Sequence, residues 1–227
     1  TKTIDIGSRR ELFIDDFMVG ALTGEARRVM HAPQPREAVM VHDRSWEGNS
    51  CCYFTFFHDQ DGIRAYYRGS QHNARIGGGS NMHQFACLAQ SDDGIHWRKP
   101  ALNVIEFQGS KRNNIVYTGV ARRNFAPFKD TRPGCPDDER YKALGGKSQG
   151  LIPFYSPDGI HWRAAADQPV ITDGIFDSQN LAFWDDVHGE YRAYYRDFKG
   201  RDPNYIYKRG EGAKGGGPQG VREIKTA

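Results

Sequence analysis

Apolar residues in this chain come in short runs that alternate with polar ones. Long patterns with the 3.6-residue period of an amphipathic helix are missing. The run "CCYFTFF" (51–57) leads into "HDQDG", and the chain returns as "IRAYYRG" (63–69) before a third run, "FACLAQ" (85–90). Alternating aromatic and β-branched segments on either side of an Asp-Gly turn predict a β-hairpin. The same order recurs as "RYKALGG" (140–146) with "GLIPFY" (150–155), and again as "LAFWDD" (181–186) with "EYRAYYRDF" (190–198) and "VREIKTA" (221–227). The segments "LNVIEF" (102–107) and "PVIT" (169–172) are the expected fourth strands of the first two units.

Two near-identical heptapeptides set the period. "SDDGIHW" spans Ser91 to Trp97 and "SPDGIHW" spans Ser156 to Trp162, 65 residues later. "RAYYR" at Arg64 recurs at Arg192, 128 residues on and about twice that spacing. A sheet of four antiparallel strands repeating at this period predicts the blades of a β-propeller, each burying its faces against its neighbours. The fold class is therefore all-β, a propeller of four-stranded antiparallel blades in one domain over 1–227, with about three blades at 40–107, 108–172 and 173–227. The Ser-x-Asp-Gly-x-x-Trp motif reads as architecture. Ser and Asp accept backbone amides in the turn, Gly takes a positive φ, and Trp returns to pack between sheets. Asp93, Asp158, His96 and His161 repeat with the turn, so they are read as part of it.

Composition narrows the function classes. The chain has 227 residues, a net charge of +3 with both signs dispersed, and a mean hydropathy of −0.72. No clustered basic face points to nucleic acid, and no run approaches the length of a membrane helix. The start, "TKTIDIGSRRELFIDD", lacks the build of a signal peptide, which leaves cytoplasmic and secreted locations both open. Cys51, Cys52, Cys87 and Cys135 have no metal-ligand spacing and read as buried thiols, so neither a disulfide framework nor a zinc site is expected. The Gly-rich stretches 73–84 and 210–220 read as mobile loops. Their GGG runs lack the Lys-Ser and helix of a phosphate loop, and no cofactor is expected.

Residues that break the repeat carry the candidate chemistry. Before the first hairpin stands "WEGNS" (46–50), and before the third stands "FDSQN" (176–180). Each reads aromatic, acid, then small and amide residues. Glu47 lies 17 residues before Arg64 and Asp177 lies 15 before Arg192, a difference that fits a longer first hairpin. The middle counterpart is "KRNNIVY" (111–117), which has no acid. Inner strands of a propeller begin near its axis, so Glu47 and Asp177 are expected to converge on a central pocket as paired carboxylates suited to sugar chemistry. Trp46, Asn49, Gln179, Asn180 and His42 are the expected substrate contacts, joined by Asp16 from the apolar run "LFIDDFMV" (12–19), where one of Asp15 and Asp16 is expected to face inward. Asp185 and Asp186, in the third hairpin turn, read as solvated. The expected partner is a carbohydrate; oligomeric state is left open.

"ELFIDD", "SWEG", the two Ser-x-Asp-Gly-Ile-His-Trp turns and "FDSQNLAFWD" together resemble bacterial proteins of the glycoside hydrolase family 32/43-like, five-bladed β-propeller superfamily. That resemblance implies a funnel-shaped site on the axis. It also implies a first-blade acid acting as base or nucleophile, a third-blade acid stabilising the transition state, and a general acid from a fourth blade. By position Glu47 is the first-blade acid and Asp177 the third. The first-blade acid of those relatives is usually Asp before Pro, whereas here it is Glu before Gly. The fourth-blade acid has no counterpart, and five uniform repeats need about 320 residues. The expectation is thus an N-terminal portion of a glycosidase, with a third Ser-x-Asp-Gly-x-x-Trp due where the sequence stops. The competing readings are a non-catalytic carbohydrate-binding propeller and a sialidase-like enzyme. The latter needs an arginine cluster and a tyrosine nucleophile, while Arg64, Arg68, Arg192 and Arg196 sit at repeat positions that read as blade structure.

Overall fold

A computed structural model describes residues 3–73, 80–147, 149–199 and 221–227. The first Gly-rich stretch lies outside these at 74–79, and its flanks extend two strands; the second, 210–220, lies wholly outside. The chain divides into two compact units, Thr1–Ala38 and Val39–Ala227. In the smaller unit no described residue is in a strand or helix. Its run Leu12, Phe13, Ile14 and Phe17 is exposed. Asp16 is exposed as well and pairs with Arg28, while Asp15 accepts the Phe17 amide at 3.0 Å. Neither acid faces inward, because the run around them has no apolar layer to bury against within its own unit.

The larger unit is all-β. Strand β1 (Cys52–Asp59) pairs with β2 (Gly62–Asn73), β2 with β3 (Ser80–Ser91), and β3 with β4 (Trp97–Arg98), all antiparallel. A fifth strand, β5 (Ile115–Tyr117), joins the same sheet beside β3. The second sheet runs β6 (Ala126–Lys129), β7 (Tyr141–Lys147), β8 (Gly150–Ser156), β9 (Arg163–Ala164), with a single 3₁₀ turn at Asp137–Glu139 ahead of β7. The third runs β10 (Leu181–Asp185), β11 (Glu190–Lys199), β12 (Val221–Thr226). Order within each sheet follows the chain, as in propeller blades.

Three details differ from the sequence expectation. "IVY" of "KRNNIVY" is β5 of the first sheet, so the lead-in to the second sheet is the later segment "ARRNF" (121–125). The fourth strands are the two residues that close each Ser-x-Asp-Gly turn, and "LNVIEF" and "PVIT" form none. The first hairpin is the shorter one: Asp59 pairs with Gly62 across two residues, whereas Asp185 pairs with Glu190 across four.

The sheets stack in chain order through alternating strand positions. Tyr66, Ala86, Leu88 and Val116 from the back of the first sheet meet Phe125, Ala143 and Phe154 of the second. Leu144 and Leu151 from the back of the second meet Phe176, Ala193 and Tyr195 of the third. Each large apolar side chain taken from water contributes about 1.5–3 kcal/mol. The front of the first sheet holds Ala65, Tyr67, Cys87 and Ile115 beneath Met40, Trp46 and Phe107.

The two heptapeptides adopt one structure. Ser91 Oγ accepts the Gly94 amide at 2.9 Å, Asp93 Oδ1 accepts those of Ile95 and His96 at 2.8 Å, and Trp97 Nε1 donates to Gly94 O at 3.0 Å. Ser156, Asp158 and Trp162 repeat each bond. Gly94 and Gly159 have φ of 80° and 76°, the left-handed region that glycine enters without strain. His96 and His161 each contact the Asp three residues before.

Candidate functional site

The lead-in to β1 folds back on the end of β2. Ser70 N donates to Glu47 O at 2.8 Å and Ser50 N donates to Ser70 O at 3.0 Å. Gly48, at φ 66°, makes that approach possible: a Cβ there would sit 2.4 Å from Ser70 O. Glu47 is thereby driven fully inside, at 0% exposure. Its Oε1 meets Tyr67 Oη at 2.5 Å and His42 Nδ1 at 3.1 Å, and its Oε2 accepts from Lys99 Nζ at 2.7 Å and the Arg44 amide at 2.9 Å. Burial alone would push the carboxyl pKa up. The bonds from His42, Lys99, Tyr67 and Arg44 outweigh it and bring the pKa from 4.5 down to about 2. Tyr67, buried and bonded to that anion, has its phenol pKa pushed far up, chiefly by burial.

The lead-in to β10 is held from two directions. Tyr53 Oη donates to Asp177 O at 3.2 Å, and Gln179 Nε2 donates to Phe54 O at 2.8 Å and Thr55 Oγ1 at 3.2 Å, both from β1. Asn124, in the lead-in to β6, donates to Phe176 O at 2.5 Å and Ser178 O at 3.3 Å. The beginnings of all three inner strands are thus stitched together, although the first and third sheets are not neighbours in the stack. Asp177 lies at this junction, 36% exposed and ion-paired with Arg196 of β11. Beside it, Tyr53 sits at a β-bulge with φ 59°, a strained setting for an aromatic residue, and its ring lies 4.8 Å beneath the Arg68 guanidinium. The Cys52 thiol is pushed up by burial and drawn down by Arg68 and Arg123, which places both arginines near it.

The remaining expected contacts are distributed as follows. Trp46 is half-buried, with Nε1 on Asn114 Oδ1 at 2.6 Å and its ring edge-on to Phe107. Asn49 mimics a strand partner for His72, donating to its carbonyl at 3.0 Å and accepting its amide at 2.8 Å. Asn180 is buried and donates to Ser178 O at 3.0 Å. His42 caps Glu47, its ring edge-on to Tyr67 at 4.8 Å. Asp16 belongs to the smaller unit. Gln179 and Asp177 are brought together at the junction; Glu47 and Asp177 share no hydrogen-bond partner among the described residues.

The repeat register also re-aligns the acids. Tyr195 occupies the position of Tyr67 in the repeated "RAYYR", and its hydroxyl donates to Asp173 Oδ1 at 3.1 Å, with Lys225 Nζ 3.1 Å from Oδ2. By tyrosine and lysine partners the third-sheet counterpart of Glu47 is Asp173, four residues before Asp177. Counting back along the chain missed this because the third hairpin turn is two residues longer than the first, so Asp173 lies 19 residues before Arg192 where Glu47 lies 17 before Arg64. The second tyrosine of "RAYYR" was the available signal; Asn124 had none. Among the described residues no three His, Cys, Asp or Glu side chains gather to hold a metal ion.

No protein-family model matches the chain, and no curated protein does. It is similar to a solved structure described as a glycoside hydrolase, at 15% identity over 69% of this chain and 50% of that one, with a TM-score of 0.42. A glycosyl hydrolase from Bacteroides ovatus is similar at 16% identity over 66% and 41%, with a TM-score of 0.38. A third is described with the GH130 family of mannoside phosphorylases, containing glycoside hydrolases that target β-1,2-mannosidic linkages in Candida mannan. It matches at 14% identity over 68% and 62%, with a TM-score of 0.33. The chain spans about half the length of the first of these structures and less than two thirds of each. At such values the assignment of a function rests on the geometry of the site.

Proposed function

We propose that this chain contributes the axial sugar site of a glycosidase, with Asp177 as the carboxylate that meets the substrate. The observation that carries the reading is the junction of the three inner strands. A partly exposed carboxylate, paired with Arg196, stands beside a strained Tyr53 ring and a second guanidinium, Arg68. An anion there stabilises the positive charge of an oxocarbenium-like transition state. The tyrosine face and the guanidinium N–H groups suit sugar rings and hydroxyls. Glu47, with a pKa near 2 and all its donors in place, is too weak a base and too enclosed to attack or protonate a substrate. In this reading it is a positioning residue, a fixed anion that anchors His42, Lys99 and the Trp46–Ser50 segment. Hydrolysis further needs a general acid for the leaving oxygen and a base to take the proton of the attacking water, both from other acids.

One observation favours a second reading, non-catalytic carbohydrate binding: the expected first-sheet acid has no face open to a ligand. Turnover of a panel of aryl glycosides, alongside calorimetric binding of oligosaccharides, separates the two. On the glycosidase reading Asp177→Asn lowers turnover by about a hundredfold or more. Unchanged turnover in that variant removes the assignment, and saturable oligosaccharide binding with no turnover in the wild type establishes the binding reading.

A further inference from the structure

Each copy of the repeated "RAYYR" carries two arginines, and they have different surroundings. Arg64 and Arg192, at the first position, are held by the blades themselves. Asp59 pairs with Arg64 Nε at 2.6 Å and accepts from Tyr141 Oη of the second sheet at 2.6 Å, while Arg64 also donates to Asp158 O. Asp185 pairs with Arg192 Nε at 2.9 Å; at 14% exposure it is not the solvated turn acid the sequence led us to expect. Arg68 and Arg196, four residues further along their strands, lie instead at the junction of the lead-in segments, Arg68 over the Tyr53 ring and Arg196 on Asp177.

By strand alternation Arg68 shares a face with Arg64 and Tyr66, the face that packs on the second sheet. Cys52 stands directly opposite it, across β1 and β2. Arg123 comes from the second sheet's side, one residue before Asn124, which donates to the carbonyls of Phe176 and Ser178 on either side of Asp177. Both guanidiniums draw down the Cys52 thiol, so both charges act on one place. Its walls are the first sheet, the second sheet and the lead-in to the third. Among the described residues no carboxylate pairs with Arg68, which is half-buried, or with Arg123, which is exposed. Arg68 Nε, Ser178 Oγ and Asn180 Oδ1 are enclosed with no hydrogen-bond partner among the described residues.

Three guanidinium charges, from Arg68, Arg123 and Arg196, thus stand against one carboxylate, Asp177, a surplus of two among the described residues. With a neutral sugar, such a balance opposes the positive charge of an oxocarbenium-like transition state. A sugar that brings its own anion removes the conflict, and planar guanidiniums match a carboxylate or sulfate with paired N–H bonds. We propose that the axial site takes an acidic sugar, whose carboxylate or sulfate is received by Arg68 and Arg123 while its ring lies beside Tyr53 and Asp177. This rests on the axial sugar site proposed above and adds the class of substrate it selects.

Turnover and calorimetric binding with the whole chain test this, with circular dichroism to verify folding. The probes are aryl uronides, aryl hexosides sulfated on the primary hydroxyl, and the matching neutral hexosides, in gluco, galacto and manno configuration. One acidic series is expected to show a kcat/KM or an affinity about tenfold or more above its neutral counterpart, an advantage that shrinks as salt is raised. The preferred series, uronide or sulfated hexoside, identifies the anion. Arg123→Gln, at an exposed position, is expected to raise KM or Kd for the acidic sugar about tenfold and to leave the neutral one unchanged, and Arg68→Gln to do the same. Arg163→Gln, exposed on β9, is expected to behave as the wild type. Acidic-sugar binding without turnover upholds the charge preference and moves the site to the binding reading. Equal handling of acidic and neutral sugars, or a preference for neutral ones, overturns this inference and leaves the glycosidase reading standing. So does an acidic preference that survives both arginine substitutions. Neither binding nor turnover of any series removes both readings.

Discussion

Replacing Glu47 by Gln keeps the volume and removes the charge at a fully enclosed acid. The wild-type carboxylate accepts four hydrogen bonds, two on each oxygen. In the variant an amide NH₂ turned toward the Lys99 ammonium and the Arg44 amide sets donor against donor; turned the other way, it needs the Tyr67 hydroxyl and the His42 ring to switch from donating to accepting. Among the described residues Lys99, 10% exposed, keeps only the exposed Asp43 at 3.6 Å as a salt-bridge partner. The carboxyl pKa falls from 4.5 to about 2 in the folded chain. That gap corresponds to about 3 kcal/mol favouring the ionised form in the native state. Removing one partner of a buried pair costs about 3–5 kcal/mol, and the remaining Asp43 argues for the lower end. Glu47→Gln should therefore unfold about 3 kcal/mol more easily in urea at pH 7. The folded pKa lies below the unfolded one, so the contribution is fully present above about pH 4.5 and is lost as pH falls toward 2. The difference between wild type and variant should shrink over that window, and Lys99→Met in the Glu47→Gln background should recover part of it. A loss below about 1 kcal/mol at pH 7, or a difference that stays constant down to pH 2, would refute the reasoning.

Two further expectations separate local from long-range roles. Asp158→Ala and Asp93→Ala delete the same local bonds, but only the Asp158 turn is gripped by Arg64 and Tyr66 of another sheet. Thermal or urea melts should find Asp158→Ala worse by about 1 kcal/mol or more, and equal losses would mean the seated turn adds nothing. Gly48→Ala places a methyl against Ser70 O at a positive φ, so it should cost about 2 kcal/mol or more, measured by the same melts.

Local chemistry and tertiary contact divide the legibility of this protein. Strand alternation, the hairpins and both Ser-x-Asp-Gly-x-x-Trp turns were readable, because every bond that shapes them closes within a few residues and repeats with the motif. Glu47, Asp177 and Gln179 were picked out as breaks in that repeat; Asp177 and Gln179 lie where the third lead-in meets Tyr53, Phe54 and Thr55 of β1, whereas Glu47 lies apart, bonded to His42, Arg44, Tyr67 and Lys99. The sequence could not say that Glu47 is sealed, since Tyr67 lies 20 residues away and Lys99 lies 52 residues away. Nor could it align Glu47 with Asp173, because the third hairpin turn is two residues longer than the first and shifts any count made back from the repeated "RAYYR". The contacts between sheets were hidden for a related reason: Asp59 receives Tyr141 Oη from 82 residues on, and Asp130 receives Tyr191 Oη from 61 residues on. By itself the sequence determined what each sheet is. Only the stacking of sheets decided which acids are enclosed, which are paired, and which stand open at the junction, because burial and charge pairing are properties of neighbours in space.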